Sequence, residues 1–363
     1  MNPSQNTEES GRAAVVPMSD YRKDAAASRR KAILINVVML ALLACAFVYC
    51  LCIGKYHVTP GETLHIIFGK LSGREPDWAP LTENVIFGLR MPRILASIVV
   101  GAALSLSGAA YQGIFRNPLV SPDFLGISSG ACIGAAIAIL MGLTSGFMQL
   151  FAFAGGLIAV SITVSIPRIM RSTSNIMLVL SGIIVGGLMF SILGFIKYIA
   201  DPLTQLADIT YWQLGSFAYI RTGALLSILP TIVIPAVALF CISWWINIIS
   251  LGEKEAQTLG ANVYKIRNVV VLCATLLTAS SVCIAGTIGW VGLVIPHFGR
   301  MIAGPDNTRL MPTAGLLGAL FMLMADTLTR TVGTSEMPIS ILTGIIGAPF
   351  YAWLLYRQRM RLQ

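Results

Sequence analysis

Charged side chains are scarce in this chain. Only 11% of its 363 residues are Asp, Glu, Lys or Arg, and 56% are hydrophobic, whereas about 25% of a soluble domain is charged. So few charges could not cover the surface of a water-soluble fold of this size. Five stretches lack all four charged types, and each could cross about 30 Å of hydrocarbon as a helix: 124–167, 172–196, 222–252, 268–299 and 337–356. The composition therefore predicts an all-α integral membrane protein.

Sequence motifs for catalysis and nucleotide binding are also missing. The chain has no GxxxxGK[ST] phosphate loop, so it cannot supply an ATP site itself. It has no HExxH motif and no clustering of His, Asp and Glu, so we expect no enzyme activity, no cofactor and no metal site. The net charge of +9 comes from basic residues scattered at the ends of apolar runs. We therefore expect no nucleic-acid partner.

The apolar runs and their breaks predict ten transmembrane helices. Two uncharged runs are too long for one crossing; one is divided by Gly142 and Gly146, the other between Gly286 and Gly289. Short, broken helices follow from these divisions. The spans are predicted at 33–53, 92–112, 125–142, 147–167, 176–197, 224–248, 267–286, 288–302, 311–330 and 339–357. They form one domain, 32–357, between a polar N-terminal tail, 1–31, and a C-terminal tail, 358–363.

Lysine and arginine are unevenly divided between the two faces that these spans define. With the N-terminus inside, 17 of the 25 lie on the cytoplasmic face and 8 on the outer face. Acidic residues show no such bias, as the positive-inside rule predicts. We therefore expect a multi-pass protein surrounded by membrane lipid, with both termini in the cytoplasm.

Two loops carry features beyond a simple connection. The outer segment 199–222 contains the pair Tyr211 and Trp212, typical of a helix that lies in the membrane interface. The cytoplasmic segment 249–266 is the only sizeable loop predicted between spans on that side. Its sequence favours a short amphipathic helix that ends at Gly260, which makes it a candidate docking surface.

The segment from Arg90 to Gly130, with its small residues and its Asn117-Pro118 and Ser121-Pro122 breaks, is similar to the signature of the iron-chelate, haem and cobalamin permeases of ABC importers. Five later stretches resemble that family in the same order: WQLGS (212–216), LGEKEAQTLG (251–260), AGTIGWVGLVIPHFGR (285–300), ADTLTR (325–330) and MPISILTGIIGAPF (337–350). The resemblance runs from about residue 33 to the C-terminus.

This resemblance implies a type II ABC importer permease in the cytoplasmic (inner) membrane. Two permease copies, forming a homodimer, would enclose the pathway, and two cytoplasmic ATP-binding subunits would drive it. A periplasmic or lipid-anchored substrate-binding protein would deliver the cargo. The cargo would be an iron chelate, either a ferric siderophore or haem, or else cobalamin; the sequence leaves these open.

The resemblance also assigns roles to individual residues. The three outer arginines of this chain would receive acidic residues of the binding protein. The alternatives are that their side chains snorkel to lipid phosphates, or that Arg330 forms an i,i+4 pair with Asp326. The 249–266 loop would dock the ATPase, unless it is merely solvated. The gate residues could instead cap helices. The assignments are Arg90, Arg93 and Arg330 for binding-protein docking; Glu253, Glu255, Ala256, Leu259 and Gly260 for ATPase coupling; and Asn117, Leu119, Ser172, Thr173 and Ser174 for the translocation gate.

An ion-coupled secondary transporter of a small solute is the alternative function. Such transporters place ionisable residues in the middle of the membrane. Here Asp326 and Lys197 lie towards the ends of their predicted spans, and the middle of each span is almost free of charge. The sequence therefore favours the importer permease.

Overall fold

A computed structural model describes residues 18–171, 175–332 and 335–360. Within these ranges every regular element is helical. A π-helical turn, Asn84–Arg90, leads into α4, and a 3₁₀ turn, Pro122–Leu125, precedes α5. The α-helices are α1 Met18–Cys52, α2 Pro60–Leu71, α3 Pro80–Glu83, α4 Met91–Phe115, α5 Ile127–Leu140, α6 Ser145–Ile169, α7 Asn175–Ile199, α8 Gln205–Leu214, α9 Thr222–Leu251, α10 Glu253–Thr258, α11 Val263–Ala285, α12 Val291–Ala303, α13 Asn307–Thr331 and α14 Ile339–Met360.

Among the described residues, seven helical stretches are long and apolar enough to cross a membrane. They lie in α1, in Pro80–Phe115, and in α6, α7, α9, α11 and α13. Three shorter apolar helices, α5, α12 and the Ile339–Leu354 part of α14, occupy the other segments predicted to span. The 14 residues of α5 extend only about 21 Å, less than the hydrocarbon thickness. The multi-pass, all-helical architecture is confirmed, while the count of ten crossings stays a prediction.

Helix α4 is the central helix of the fold, because almost every residue from Pro92 to Phe115 is buried. Its small residues let neighbouring backbones come very close. A Cβ atom on Gly101 would overlap the backbone carbonyl of Gly318 in α13, and a Cβ atom on Gly108 would overlap that of Gly292 in α12. The small-residue stretch of the sequence therefore forms a helix enclosed by protein.

The connecting segments contain more helix than the sequence suggested. The segment between α1 and α4, which is predicted to be outer, contains α2, a helix that the sequence does not predict, and α1 begins at Met18 rather than near residue 33. Both short helices expected in loops are present. Helix α8 lies within 199–222, and α10 lies within 249–266, where Gly260 follows it in the left-handed region (φ 81°).

We predict that Gly108→Ala destabilises the protein, because the added methyl group meets the backbone of α12, which cannot move aside as a side chain could. Such overpacking costs about 1–3 kcal/mol. The measurement is the melting temperature of the purified protein in detergent. Gly187→Ala in α7 is the matched control: no atom lies within 4 Å of its Cβ position, and alanine favours a helix by about 0.5–1 kcal/mol. Equal melting temperatures for the two variants would contradict the close packing of α4.

Candidate functional site

Two of the three arginines predicted to lie on the outer face bind the C-terminal end of α1. The guanidinium of Arg90 donates to the carbonyl oxygens of Leu51, Cys52 and Tyr56. Arg330 donates to the carbonyl oxygen of Cys50. The last carbonyls of a helix lack partners within the helix and attract positive charge. Both arginines are buried, so they fix the end of α1 against α13 and the start of α4 and do not extend towards lipid.

Arg93 lies between two carboxylates. Its Nε is 2.9 and 3.0 Å from the Asp326 oxygens, and its Nη1 is 2.8 and 2.9 Å from those of Glu336. The two partners differ in burial: the Asp326 side chain is 1% exposed and that of Glu336 is 39% exposed. The only salt bridge that the described residues form with Asp326 is to Arg93 on α4, and not to Arg330 one turn away. Arg93, Asp326 and Glu336 thus form a cluster on the predicted outer face, the outer cluster, in which Glu336 is the accessible carboxylate.

The segment around α10, which is predicted to be cytoplasmic, exposes some of its predicted docking residues and buries others. Ala256 packs inside the chain against Ile248, Ile249 and Val263, and Glu253 forms a salt bridge with Arg267. Leu259 is exposed, as are Glu255 and Gly260. Two further exposed side chains, Leu251 and Tyr264, had not been assigned to the docking surface.

The predicted gate is only partly covered by the structure. Asn117 Oδ1 accepts a hydrogen bond from the Leu119 amide at 2.9 Å, an arrangement that stabilises a turn after α4. Leu119 is itself exposed. The other three residues of the predicted gate lie outside the described residues: Ser172, Thr173 and Ser174.

A cavity of about 240 Å³ was missed by the sequence analysis. It lies where three breaks in the helices meet: the 3₁₀ turn before α5, the end of α8 and the α11–α12 connection. Asp123 accepts a hydrogen bond from Ser128 at its wall, and Gln213 accepts one from Lys197 at 2.5 Å. Irregular backbone at membrane depth is tolerated beside a water-filled cavity. The lining residues are Asp123, Ser128, Ser129, Cys132, Phe190, Leu193, Gln213, Thr287, Ile288 and Gly289.

Comparisons with known proteins agree over most of the chain. The FecCD transport family matches residues 42–357. The molybdate import system permease MolB of Haemophilus influenzae is 39% identical over 87% of this chain and 93% of its own length. A protein of Helicobacter pylori described as an iron chelatin transport system permease is 37% identical over 76% of this chain and 83% of its own. A solved inward-facing ABC transporter, described as of the metal-chelate type, is 36% identical, has a TM-score of 0.80 and is matched over 89% of this chain and 99% of its own.

We predict that the two carboxylates bound by Arg93 contribute very unequally to stability. Asp326→Asn leaves a buried arginine without its inaccessible partner, and breaking such a pair costs about 3–5 kcal/mol. Glu336→Gln, at a more exposed position, should cost at most about 1 kcal/mol. Melting temperatures of both variants in detergent measure the difference. A larger fall in melting temperature for Glu336→Gln than for Asp326→Asn would show that burial does not decide how much each carboxylate contributes to stability.

Proposed function

Because the chain belongs to the FecCD transport family of ABC transporter permeases, we propose that it is the membrane subunit of an importer that carries an iron chelate or cobalamin across the cytoplasmic membrane. The observation that carries this proposal is the match to the metal-chelate type transporter, which extends over nearly all of both chains. The 39% identity to the molybdate permease favours a second candidate cargo, a metal oxyanion.

One partner of this importer is implied by a motif that the chain lacks. Its sequence has no phosphate loop, so ATP hydrolysis belongs to separate subunits. We propose the complete assembly as two copies of this chain, two cytoplasmic ATP-binding subunits and a periplasmic or lipid-anchored substrate-binding protein. The 17 to 8 division of Lys and Arg supports cytoplasmic termini.

The surface around α10 supports contact with an ATP-binding subunit. Leu251, Leu259 and Tyr264 expose apolar area next to the charged residues Lys254 and Glu255. An apolar centre with a polar rim is typical of protein interfaces. In this proposal Leu259, Glu255 and Gly260 face the ATPase. The buried Ala256 and the paired Glu253 instead hold α10 in place from inside.

The outer cluster supports docking of a binding protein through one of the three predicted arginines. Arg90 and Arg330 are engaged by backbone carbonyls, so Arg93 is the arginine most able to accept an acidic residue from a partner. Arg93 would release the accessible Glu336, bind the incoming carboxylate and keep its salt bridge with Asp326. Charge pairs of this kind set orientation and association rate more than affinity.

The cavity supports a cargo pathway next to α5, α7 and α8. Its wall combines hydroxyl, amide and carboxylate groups with apolar surface from Phe190 and Leu193. In this proposal the cargo path runs through the cavity, with Asn117 and Leu119 nearer the cytoplasm and Ser172, Thr173 and Ser174 as the inner gate. The ion-coupled alternative receives no support, since the buried carboxylate in α13 is already paired with Arg93.

The test of the function is reconstitution with the ATP-binding subunit in liposomes, with uptake measured for a ferric hydroxamate, haem, cobalamin and molybdate. Uptake of one of the first three that requires ATP would support the proposal. ATP-dependent uptake of molybdate alone would select the second candidate, and uptake driven by an ion gradient without ATP would contradict both.

We predict that Leu259→Asp prevents the ATP-binding subunit from co-purifying with the permease. A charge placed in a desolvated apolar contact is expected to cost about 2 kcal/mol or more of binding free energy, a loss of at least about 30-fold in affinity. The matched control is Leu203→Asp, the same change at an exposed leucine of the segment between α7 and α8, on the opposite predicted face. Equal co-purification of both variants would exclude Leu259 from the docking surface.

We predict that Gly289→Met obstructs the cavity and slows cargo uptake without unfolding the protein. Gly289 lines the cavity, and no atom lies within 4 Å of its Cβ position. Uptake into liposomes should fall about tenfold, a barrier change of about 1.4 kcal/mol. Gly223→Met in α9, where the Cβ position is equally open but outside the cavity lining, is the control. Undiminished uptake by Gly289→Met would place the cargo path elsewhere.

A further inference from the structure

Asn247, near the end of α9, joins that helix to α13 through one side chain. Its Nδ2 donates to Asp306 Oδ1 at 2.6 Å. Its Oδ1 accepts from the backbone amide of Asn307 at 2.7 Å and from the Asn307 side chain at 2.8 Å. Both hydrogen-bonding ends of the amide are thus used between two helices about 60 residues apart in sequence.

The α13 side of this contact is itself firmly held. Asp306 is the N-cap of α13 and accepts from the Thr308 amide at 2.9 Å. Partial burial alone would raise the pKa of Asp306, but hydrogen bonds from Thr308 and Asn247 outweigh it, and the pKa lies below its ordinary value. Asn307 is buried. It packs beside Gly113 of α4, where a Cβ atom would lie 3.2 Å from Asn307 Oδ1.

The α9 side of the contact is fixed to α10. Only Gly252 separates the end of α9 from the start of α10. Ala256 of α10 packs against Ile248 and Ile249, which follow Asn247 directly. A displacement of α10 would therefore reach Asn247 through a few directly packed residues.

Helix α13 extends this route across the protein. Its 25 residues measure about 37 Å, from Asn307 at one end to Arg330 near the other. Close backbone contact at Gly101 and Gly318 locks it to α4. Asp326 of α13 binds Arg93 of α4 in the outer cluster. The α4–α13 pair thus runs from the Asn247 contact to the outer cluster.

We propose that Asn247 is a positioning residue that latches α10 to the α4–α13 pair, so that movement of α10 is transmitted to the outer cluster. This inference rests on the proposed function, in which an ATP-binding subunit moves α10. Neither Asn247 nor Asp306 belongs to the docking surfaces assigned above. Their contribution is the rigid connection between those surfaces.

The experiment measures movement at the outer end of α13 in the assembled permease–ATPase complex. A spin label replaces Val332, an exposed residue that follows α13, after the exposed Cys45 and Cys241 are changed to serine. The distance between the labels of the two permease copies is measured without nucleotide and with ATP and vanadate. No cargo is needed.

Asn247→Asp sets a second carboxylate against Asp306. We expect it to shift the equilibrium between the two label distances about fivefold or more towards the nucleotide-free state when ATP is bound. ATP hydrolysis by the complex should continue. Adding Asp306→Asn removes one negative charge and supplies an amide that can donate to the carboxylate introduced at position 247, so the double variant should recover movement. If Asn247→Asp does not assemble, Asn247→Ala replaces it in the same measurement.

Asn262→Asp is the matched control. Asn262 follows α10 within the 249–266 segment, and its side chain caps α11 by accepting from the Lys265 amide at 3.0 Å; aspartate caps equally well. Undiminished label movement in Asn247→Asp, or no recovery in the double variant, would overturn the latch. Equal loss in Asn262→Asp would do the same. If the wild-type complex does not respond to ATP, the proposed function has failed instead.

Discussion

The contact between the backbones of α4 and α13 is the constraint on which the rest of the structure depends. No side chain fits between Gly101 and the carbonyl of Gly318, so the backbones of the two helices are in direct contact. At that distance Arg93 reaches Asp326 with two hydrogen bonds. At the other end of this helix pair, Gly113 of α4 leaves room for the side chain of Asn307. Both the outer cluster and the Asn247 contact are therefore consequences of glycine positions in α4.

Hydropathy was enough to predict the apolar helices, though not how many of them cross the membrane, because an uninterrupted apolar run has few stable conformations in a bilayer other than a helix. Hydropathy did not predict every short helix that contains charged residues. Helix α2, with the sequence PGETLHIIFGKL, contains charged residues and lies in a segment that the sequence suggests is a loop. Helix α10 was predicted correctly, because its short amphipathic pattern ends at a glycine in the left-handed region.

Side-chain partners were much less predictable than helices. The sequence places Asp326 one turn before Arg330, which suggested a local pair, but Asp326 instead binds an arginine 233 residues away. Whether Asp326 pairs with Arg93 or with Arg330 depends on how α4 and α13 pack. The spacing of residues along one helix carries no information about that packing. The cavity was missed for a similar reason, since Asp123, Gln213 and Gly289 come from three separate breaks that converge only in the folded chain.

The rigidity of the α4–α13 pair also limits where this protein can change shape. Two helices locked by backbone contacts cannot slide past each other without losing close packing along their whole length. Irregular backbone leads into two shorter helices: α5 follows a 3₁₀ turn, and α12, which is itself packed against α4 at Gly108, follows a connection in which Trp290 has a positive φ of 72°. The 3₁₀ turn, α5 and the connection before α12 all contribute residues to the wall of the cavity. A fixed α4–α13 pair beside irregular connecting segments would let the cavity change shape while the connection between the two ends of the pair stays intact.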